Sequence, residues 1–130
     1  MSNETILVVE DNPINLQLIE QLLKRAGYTV HTAGGAEEAQ KLLVTLRPAL
    51  IVMDIQLPGI DGLTFTRLLK ADPTMQNIPI VALTAYAMEG GEQKALDAGC
   101  DEYLSKPIDT RAFVPTITRH VEKVREYPQL

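Results

Sequence analysis

The sequence predicts an α/β domain built on one doubly wound sheet of five parallel strands, with helices on both faces. Short apolar segments alternate with segments of helical periodicity along the chain. Near-continuous apolar strands are typical of parallel sheets whose two faces are both covered. The length of 130 residues suits a single domain with its own core. We expect the domain to span residues 1–124, followed by a short tail, residues 125–130.

Five strands and five helices are predicted in strict alternation. The strands are short apolar or alternating segments at positions 5–9, 28–32, 49–53, 78–83 and 102–105. The helical patterns cover residues 13–26, 36–46, 63–70 and 92–98, and a last one begins near residue 109. Right-handed crossovers permit few topologies for such a chain, and the flavodoxin-like order 2-1-3-4-5 is the natural choice.

Local signals mark several helix ends. Asn12 is an N-cap residue followed by Pro13 at the first helical position, and Gly27 ends that helix. Asp61 is the expected cap of the third helix. The fourth helix should be weaker, because two glycines stand at its start.

Polar side chains follow four of the predicted strands: Asp11, Asp54, Thr84 and Lys106. In the predicted order, strands one and three meet at the switch point, where ligands bind beyond the carboxyl ends of the strands. We expect Asp11 and Asp54 there, with Thr84 and Lys106 closing the pocket from strands four and five. A carboxylate after so apolar a strand as residues 49–53 is costly unless a partner compensates its charge.

The acidic members of this group predict a cation site. Glu10, Asp11 and Asp54 supply carboxylate oxygens, the ligands that Mg²⁺ prefers. For Glu10 and Asp11 alone, an equally good interpretation is that they cap a helix, which acidic residues favour. A cap does not explain Asp54, and a carboxylate in that position can attack a phosphoryl group to form an acyl phosphate.

The other two polar residues suit a phosphate. Lys106 supplies an ammonium that neutralises incoming charge, and Pro107 holds the lysine backbone extended. Thr84, followed by the small residue Ala85, brings a hydroxyl and a backbone N–H within reach of a phosphate oxygen. Taken singly, Lys106 has the alternative interpretation of a solvated loop lysine, the usual environment of this residue, and Thr84 that of an ordinary strand residue. The prediction depends on their convergence at the same sheet edge.

Five ordered blocks of sequence surround these positions. They are VVEDN at 8–12, IVMDI at 51–55, Pro58 with Asp61-Gly62, LTA at 83–85 and YLSKP at 103–107. Together, over about residues 5–124, they resemble the receiver domain of bacterial response regulators. The segment DNPIN at 11–15 resembles receivers attached to hybrid histidine kinases and the stand-alone cell-division regulators of the DivK type.

The resemblance implies that Asp54 accepts a phosphoryl group from a phosphohistidine on a histidine kinase or a histidine phosphotransfer protein. It implies an Mg²⁺ ion held by Asp11, Asp54 and the main-chain carbonyl of Gln56, with Glu10 acting mainly through water. Glu10 stands where aspartate is the commoner residue, a mild departure that leaves the metal site intact.

The resemblance also assigns roles around the phosphate. Lys106, the Thr84 hydroxyl and the backbone N–H of Ala85 would contact it, and Thr84 and Tyr103 would rearrange on activation. A half-buried strand aromatic is the competing interpretation of Tyr103. The bond before Pro107 is usually cis in the family. Separately, the position of Tyr86, two residues past Thr84, predicts that it shields the phosphate from water and prolongs the phosphorylated state; the alternative is that Tyr86 points away and contacts a partner protein.

The expected function is a single-domain response regulator of a two-component phosphorelay. It would signal through contacts with a downstream protein and, apart from its own phosphorylation and dephosphorylation, would not be an enzyme. The short tail and the early first strand favour a stand-alone protein, and the alternative is a receiver cut from a larger hybrid histidine kinase or regulator. A flavin-binding electron carrier on the same topology is a weaker alternative, because the acidic loop at 10–13 would repel a flavin phosphate.

Composition narrows the partners and the compartment. The net charge of −5 and the lack of a basic cluster count against direct DNA binding. The longest apolar run has five residues, so no membrane span is expected. The start of the chain lacks a signal-peptide pattern, and one cysteine suits a reducing compartment, so we expect the cytoplasm. Cys100 should be a buried filler, and His31 and His120 should lie on the surface.

Overall fold

The structure, a computed structural model, describes residues 4–85 and 90–126, with side chains described as far as Lys123. Strands and helices alternate along these residues. They are β1 Thr5–Val9, α1 Pro13–Arg25, β2 Thr29–Ala33, α2 Ala36–Leu42, β3 Leu50–Asp54, α3 Gly62–Ala71, β4 Ile80–Thr84, α4 Gly91–Ala98, β5 Glu102–Ser105 and α5 Phe113–Glu126. The predicted alternation of strands and helices is confirmed.

The sheet has five parallel strands in the order β2-β1-β3-β4-β5, as the sequence predicted. β1 pairs with β3 so that Val9 lies opposite Met53, and the carboxyl ends of the two strands lie side by side. In the same way Thr84 at the end of β4 lies opposite Ser105 at the end of β5. This register brings the residues that end or follow these four strands to one edge of the sheet.

Helices cover both faces of the sheet, and each face has its own apolar core. On one face α1 and α5 pack against the side chains of Ile6 and Val52. On the other face α2, α3 and α4 pack against Leu7 and Met53, with Phe65 of α3 almost wholly buried. All five residues of β3 and of β4 are buried. Burial on both faces explains why these strands are continuously apolar in sequence.

The capping predictions hold for two helices. The Asn12 side chain accepts hydrogen bonds from the N–H groups of Ile14 and Asn15, at 2.9 and 3.0 Å. Asp61 accepts from the N–H of Thr64 at 2.8 Å and caps α3. Gly27 follows the C-cap of α1 at a φ of 97°, in the left-handed region that favours glycine.

Two helix boundaries differ from the prediction by more than one residue. α2 ends at Leu42 rather than at residue 46, and the carbonyls of Leu43 and Leu46 accept hydrogen bonds from the Arg47 guanidinium. α5 begins at Phe113 rather than near residue 109. Asp109 caps a single turn whose hydrogen bonds precede the helix, so its sequence signal marks the turn.

The three residues expected outside the site have different environments. Cys100 is buried, and burial raises the pKa of its thiol, so the prediction of a filler is confirmed. His31 is exposed, as predicted. For His120 the prediction of a surface residue was wrong: only 12% of its side chain is exposed, and its Nε2 lies 2.5 Å from Glu102 Oε1. In the described part of the chain, no helix has the length and apolar character needed to span a bilayer.

Candidate functional site

The carboxyl edge of the sheet collects the side chains that the sequence singled out. Asp54 is the last residue of β3 and Thr84 the last residue of β4. Glu10 directly follows β1, and Lys106 directly follows β5. The backbone N–H of Lys106 donates to the carbonyl of Thr84 at 2.8 Å, which continues the pairing of β4 and β5 into the site.

Three carboxylates converge at this edge. Glu10, Asp11 and Asp54 each offer an oxygen, and these oxygens lie within 4.8 Å of one another. Glu10 and Asp54 are almost completely buried, while Asp11 is exposed. The cluster therefore has one open side, at Asp11, and two ligands held in the protein.

Lys106 is the cation of the cluster. Its Nζ lies 2.8 Å from Asp54 Oδ2 and 3.2 Å from Glu10 Oε1, and 17% of its side chain is exposed. The lysine thus supplies the partner that a buried carboxylate on β3 requires. The peptide bond between Lys106 and Pro107 is cis.

Backbone N–H groups fix the second oxygen of each buried carboxylate. The N–H of Gln56 donates to Asp54 Oδ1 at 2.9 Å, and the N–H of Asn12 donates to Glu10 Oε2 at 3.1 Å. Asp54 is therefore held through both oxygens, one by a backbone N–H and one by an ammonium. Its orientation is set before any ligand arrives.

The charges of the cluster perturb two pKa values. Burial, together with the neighbouring Asp54 carboxyl, raises the pKa of Glu10 to about 7. Partial burial lowers the pKa of Lys106, but the carboxylates of Asp54 and Glu10 outweigh this effect and raise it overall. Burial is the main reason why the ionised form of Glu10 is disfavoured, and the Asp54 carboxyl adds to it more than the shared Lys106 ammonium offsets.

The donor set fits a divalent cation. Among the described residues, the buried Glu10 Oε1 forms an ion pair with Lys106 Nζ at 3.2 Å but accepts no hydrogen bond. A buried polar atom in this state is a ligand position that an ion or its water can satisfy. Carboxylates with one open side match what Mg²⁺ requires, since that ion keeps several waters.

The predicted phosphate and switch residues lie around this cluster. Thr84 is fully buried and Ala85 is exposed at the end of β4. Tyr103 is half-buried and packs against the core beneath α3 and α4. A hydrogen bond to the Glu92 carboxylate raises the pKa of the Tyr103 phenol. Tyr86 lies outside the described residues, so its shielding role stays a prediction.

Glu92 is a partner that the sequence reasoning missed. It stands in the first turn of α4, where an acidic residue is explained by the helix dipole alone. Its contact with Tyr103 depends on the packing of α4 beside β5, which no local pattern specifies. Glu92 and Tyr103 come together only in the tertiary structure, so no fixed spacing in the sequence indicates their contact.

The fold and the acidic edge define a class of signalling domain. Residues 6–118 match the response regulator receiver domain, and the chain belongs to that family. Receiver domains are signalling components of two-component systems rather than enzymes of the usual kind, and Mg²⁺ binding and aspartate phosphorylation are general to the family.

Within the family, the chain is similar to DivK. It is 42% identical to the polar-differentiation response regulator DivK of Brucella anthropi over 119 residues, which cover 91% of this chain and 96% of that protein. A putative response regulator from Chloroflexus aurantiacus has the same fold, with a TM-score of 0.89, 30% identity and coverage of 93% and 99% of the two chains. The receiver domain of a sensor histidine kinase from Pseudomonas aeruginosa has a TM-score of 0.86, 35% identity and the same coverage, and its structure has a magnesium ion coordinated in the active-site cleft.

Proposed function

We propose that this chain is a single-domain response regulator whose Asp54 accepts a phosphoryl group from a phosphohistidine. The observation that carries the proposal is the environment of Asp54. A buried carboxylate stands at the end of the central strand β3, paired with Lys106 at 2.8 Å and flanked by two further carboxylates. A carboxylate that served only the fold would gain nothing from like charges beside it.

The chain's own residues prepare the transfer. The Gln56 N–H and the Lys106 ammonium hold the two oxygens of Asp54, so the nucleophile is already oriented. A carboxylate oxygen forms the bond to phosphorus while the bond from phosphorus to the imidazole nitrogen breaks, and the imidazole keeps the electron pair. Lys106, the Thr84 hydroxyl and the N–H of Ala85 then face the charge of the transferred group.

The metal site completes this assignment. Asp11, Asp54 and the main-chain carbonyl of Gln56 would hold Mg²⁺, with Glu10 acting through a water. When bound, the ion neutralises charge on the phosphoryl oxygens. The orphaned Glu10 oxygen and the open side at Asp11 support this ligand set.

Signalling is proposed to pass through a protein surface. Thr84 and Tyr103 are the switch pair: phosphorylation at Asp54 would draw the Thr84 hydroxyl toward the phosphate and change the packing of Tyr103 on β5. The phosphoryl donor would be a histidine kinase or a histidine phosphotransfer protein, and the output a contact with a downstream protein, without direct DNA binding. The net charge of −5 supports this choice.

The extent and the compartment of the protein are part of the proposal. We propose that residues 1–124 form the receiver and residues 125–130 a tail, whose first two residues continue α5. The match to 96% of the length of DivK supports a single-domain protein, whereas similarity to the receiver of a sensor histidine kinase supports the alternative of a larger protein. The mass of the native protein in cell extract, measured by immunoblot, decides between the two. The buried free thiol of Cys100 suits the cytoplasm.

The phosphoacceptor assignment is tested with a small phosphodonor. The protein is incubated with Mg²⁺ and acetyl phosphate, and its intact mass is measured. We expect one phosphate adduct in the wild type and none in Asp54→Asn. Asp61→Asn is the matched control, because asparagine also caps a helix and Asp61 lies on the exposed loop before α3. An adduct that persists in Asp54→Asn would overturn the assignment.

A second experiment tests the donor. A histidine phosphotransfer domain carrying labelled phosphate is mixed with the protein, and the label is followed between the two chains. Transfer to the wild type, and its loss in Asp54→Asn, is expected. Phosphorylation by acetyl phosphate without transfer from any phosphohistidine would refute the phosphorelay role and leave the site assignment intact. A flavin-like visible absorption spectrum in the purified protein would favour the electron carrier instead.

A further inference from the structure

We infer that Gly62 is a positioning residue for the site. Because Gly62 has no side chain, the start of α3 can pack closely against the backbone of residues 54–56 and fix its position. A Cβ atom built on Gly62 would lie 2.2 Å from the carbonyl oxygen of Asp54, 2.6 Å from the Cα of Ile55 and 3.0 Å from the carbonyl carbon of Asp54. All three atoms belong to the backbone, which cannot move aside as a flexible side chain can. Gly62 is buried and its φ is not in the left-handed region, so close approach alone requires glycine.

The backbone hydrogen bonds transmit this contact to the site. The N–H of Gly62 donates to the carbonyl of Ile55 at 3.2 Å, and the N–H of Ile55 donates to the carbonyl of Leu83 at 3.1 Å. Ile55 is thus held between α3 on one side and β4 on the other. Its two neighbours in sequence are Asp54 and Gln56, which are joined by the 2.9 Å hydrogen bond from the Gln56 N–H to Asp54 Oδ1.

A methyl group at position 62 would therefore displace the groups that orient the nucleophile. Carbon and oxygen atoms approach one another to about 3.3 Å, so the backbone of Asp54 or the start of α3 must retreat by roughly 1 Å. A displacement of about 1 Å at a reacting group lowers a rate about 100-fold. The inference rests on the proposed role of Asp54, and Gly62 would act on the site only through the backbone of residues 54–56.

The test compares Gly62→Ala with two controls. Gly35→Ala adds a methyl group where nothing lies within 4 Å and where the backbone is extended. Val121→Ala leaves a cavity beneath α5, on the opposite face of the sheet. It lowers the free energy of unfolding without touching the segment 54–56, so it controls for a general loss of stability in Gly62→Ala. For each protein we measure the rate of adduct formation with acetyl phosphate and the amide NMR signal of Gln56 without metal. The rate and the NMR signal are both measured under conditions in which circular dichroism shows that the protein is folded.

Gly62→Ala is expected to shift the Gln56 amide signal and to slow adduct formation about 100-fold, while both controls keep the wild-type values. A folded Gly62→Ala protein with an unmoved Gln56 signal and an unchanged rate would overturn the inference. So would an equal loss of rate in Val121→Ala, which would trace the effect to stability alone. A chain that stays unfolded even in trimethylamine N-oxide, which strengthens burial, would show that Gly62 serves the fold and not the site. Failure of the wild type to form an adduct would count against the role of Asp54, while the Gln56 signal would still decide the role of Gly62.

Discussion

Replacing Glu10 with glutamine is expected to stabilise the metal-free protein, by an amount that depends on pH. Glu10 is completely buried, and burial together with the Asp54 carboxyl raises its pKa from 4.5 to about 7. Glutamine matches the protonated carboxyl group in shape and carries no charge. The variant therefore removes the ionised form, which the site disfavours, and keeps the neutral form.

The raised pKa of Glu10 gives the size and the pH dependence of the expected change in stability. A rise from 4.5 to about 7 corresponds to about 3 kcal/mol against the ionised form in the folded protein. Between these pH values the folded state retains its proton and the unfolded chain loses it. The contribution of Glu10 to stability therefore falls as the pH rises from 4.5 to about 7 and is constant beyond. The free energy of unfolding of Glu10→Gln should equal that of the wild type near pH 4.5 and exceed it by about 3 kcal/mol above pH 7.

Urea unfolding in the presence of a chelator measures this difference across the pH range. Glu37→Gln is the matched control, because Glu37 is an exposed acid in the first turn of α2, and its replacement should change stability by no more than about 0.5 kcal/mol at any pH. A Glu10→Gln advantage that does not vary with pH, or a loss of stability above pH 7, would refute the reasoning. Adding Mg²⁺ should narrow the gap, since the ion stabilises the ionised wild-type cluster.

Three further predictions concern other charged groups. Lys106→Met removes the cation from two buried carboxylates and should cost about 3 kcal/mol above pH 7 in urea unfolding, with a smaller loss in acid; an unchanged midpoint would contradict the pairing. Burial of Glu102 opposes its ionisation, but hydrogen bonds from α5 outweigh this and lower its pKa, so its contribution is complete above pH 4.5 and is lost as the pH falls through the folded value. Glu102→Gln should lose up to about 1 kcal/mol at neutral pH and nothing in strong acid, and a loss that persists in strong acid would argue against an ionic contribution. Asp101→Ala removes the acceptor of the Ile80 N–H and of the Lys70 ammonium. It should cost about 2 kcal/mol in thermal unfolding and leave the rate of adduct formation at Asp54 unchanged. Slower adduct formation would show that Asp101 also influences the site.

The sheet and the location of the site were predictable because their signals are local and their geometry is constrained. Each strand is a short apolar segment, and a right-handed parallel arrangement leaves few strand orders to choose from. Once β1 and β3 are neighbours, Asp54 and the residues after Val9 must meet at one edge. The requirement that Asp54 have a positive partner was also readable from sequence, and Lys106 lies 2.8 Å from it.

Contacts that depend on how helices sit against the sheet were not predictable. The helical pattern around His120 does not show which neighbours cover the helix, so His120 was expected on the surface. Its contact with Glu102 depends on how α5 lies beside β5. The Lys70 ammonium reaches the carbonyls of Gln76 and Ile78 and the carboxylate of Asp101, a network without any fixed spacing. Similarly, the sequence marked Asp61-Gly62 as a turn, but the 2.2 Å approach that excludes a side chain at Gly62 belongs to the tertiary structure.

The cost of the acidic cluster is itself an argument for its role. A cluster selected for stability would pair each buried carboxylate with a cation or replace it with an apolar side chain. Here Glu10 and Asp54 share one ammonium, and Glu10 keeps one oxygen without a hydrogen bond. Proteins retain such local conflicts where function requires them. In the proposed role, a divalent cation would offset the excess negative charge of the carboxylates, so the negatively charged phosphoryl group would meet less repulsion at Asp54. On this reasoning Glu10→Gln should be the more stable protein and the weaker Mg²⁺ binder, two outcomes that a purely structural role for Glu10 does not produce together.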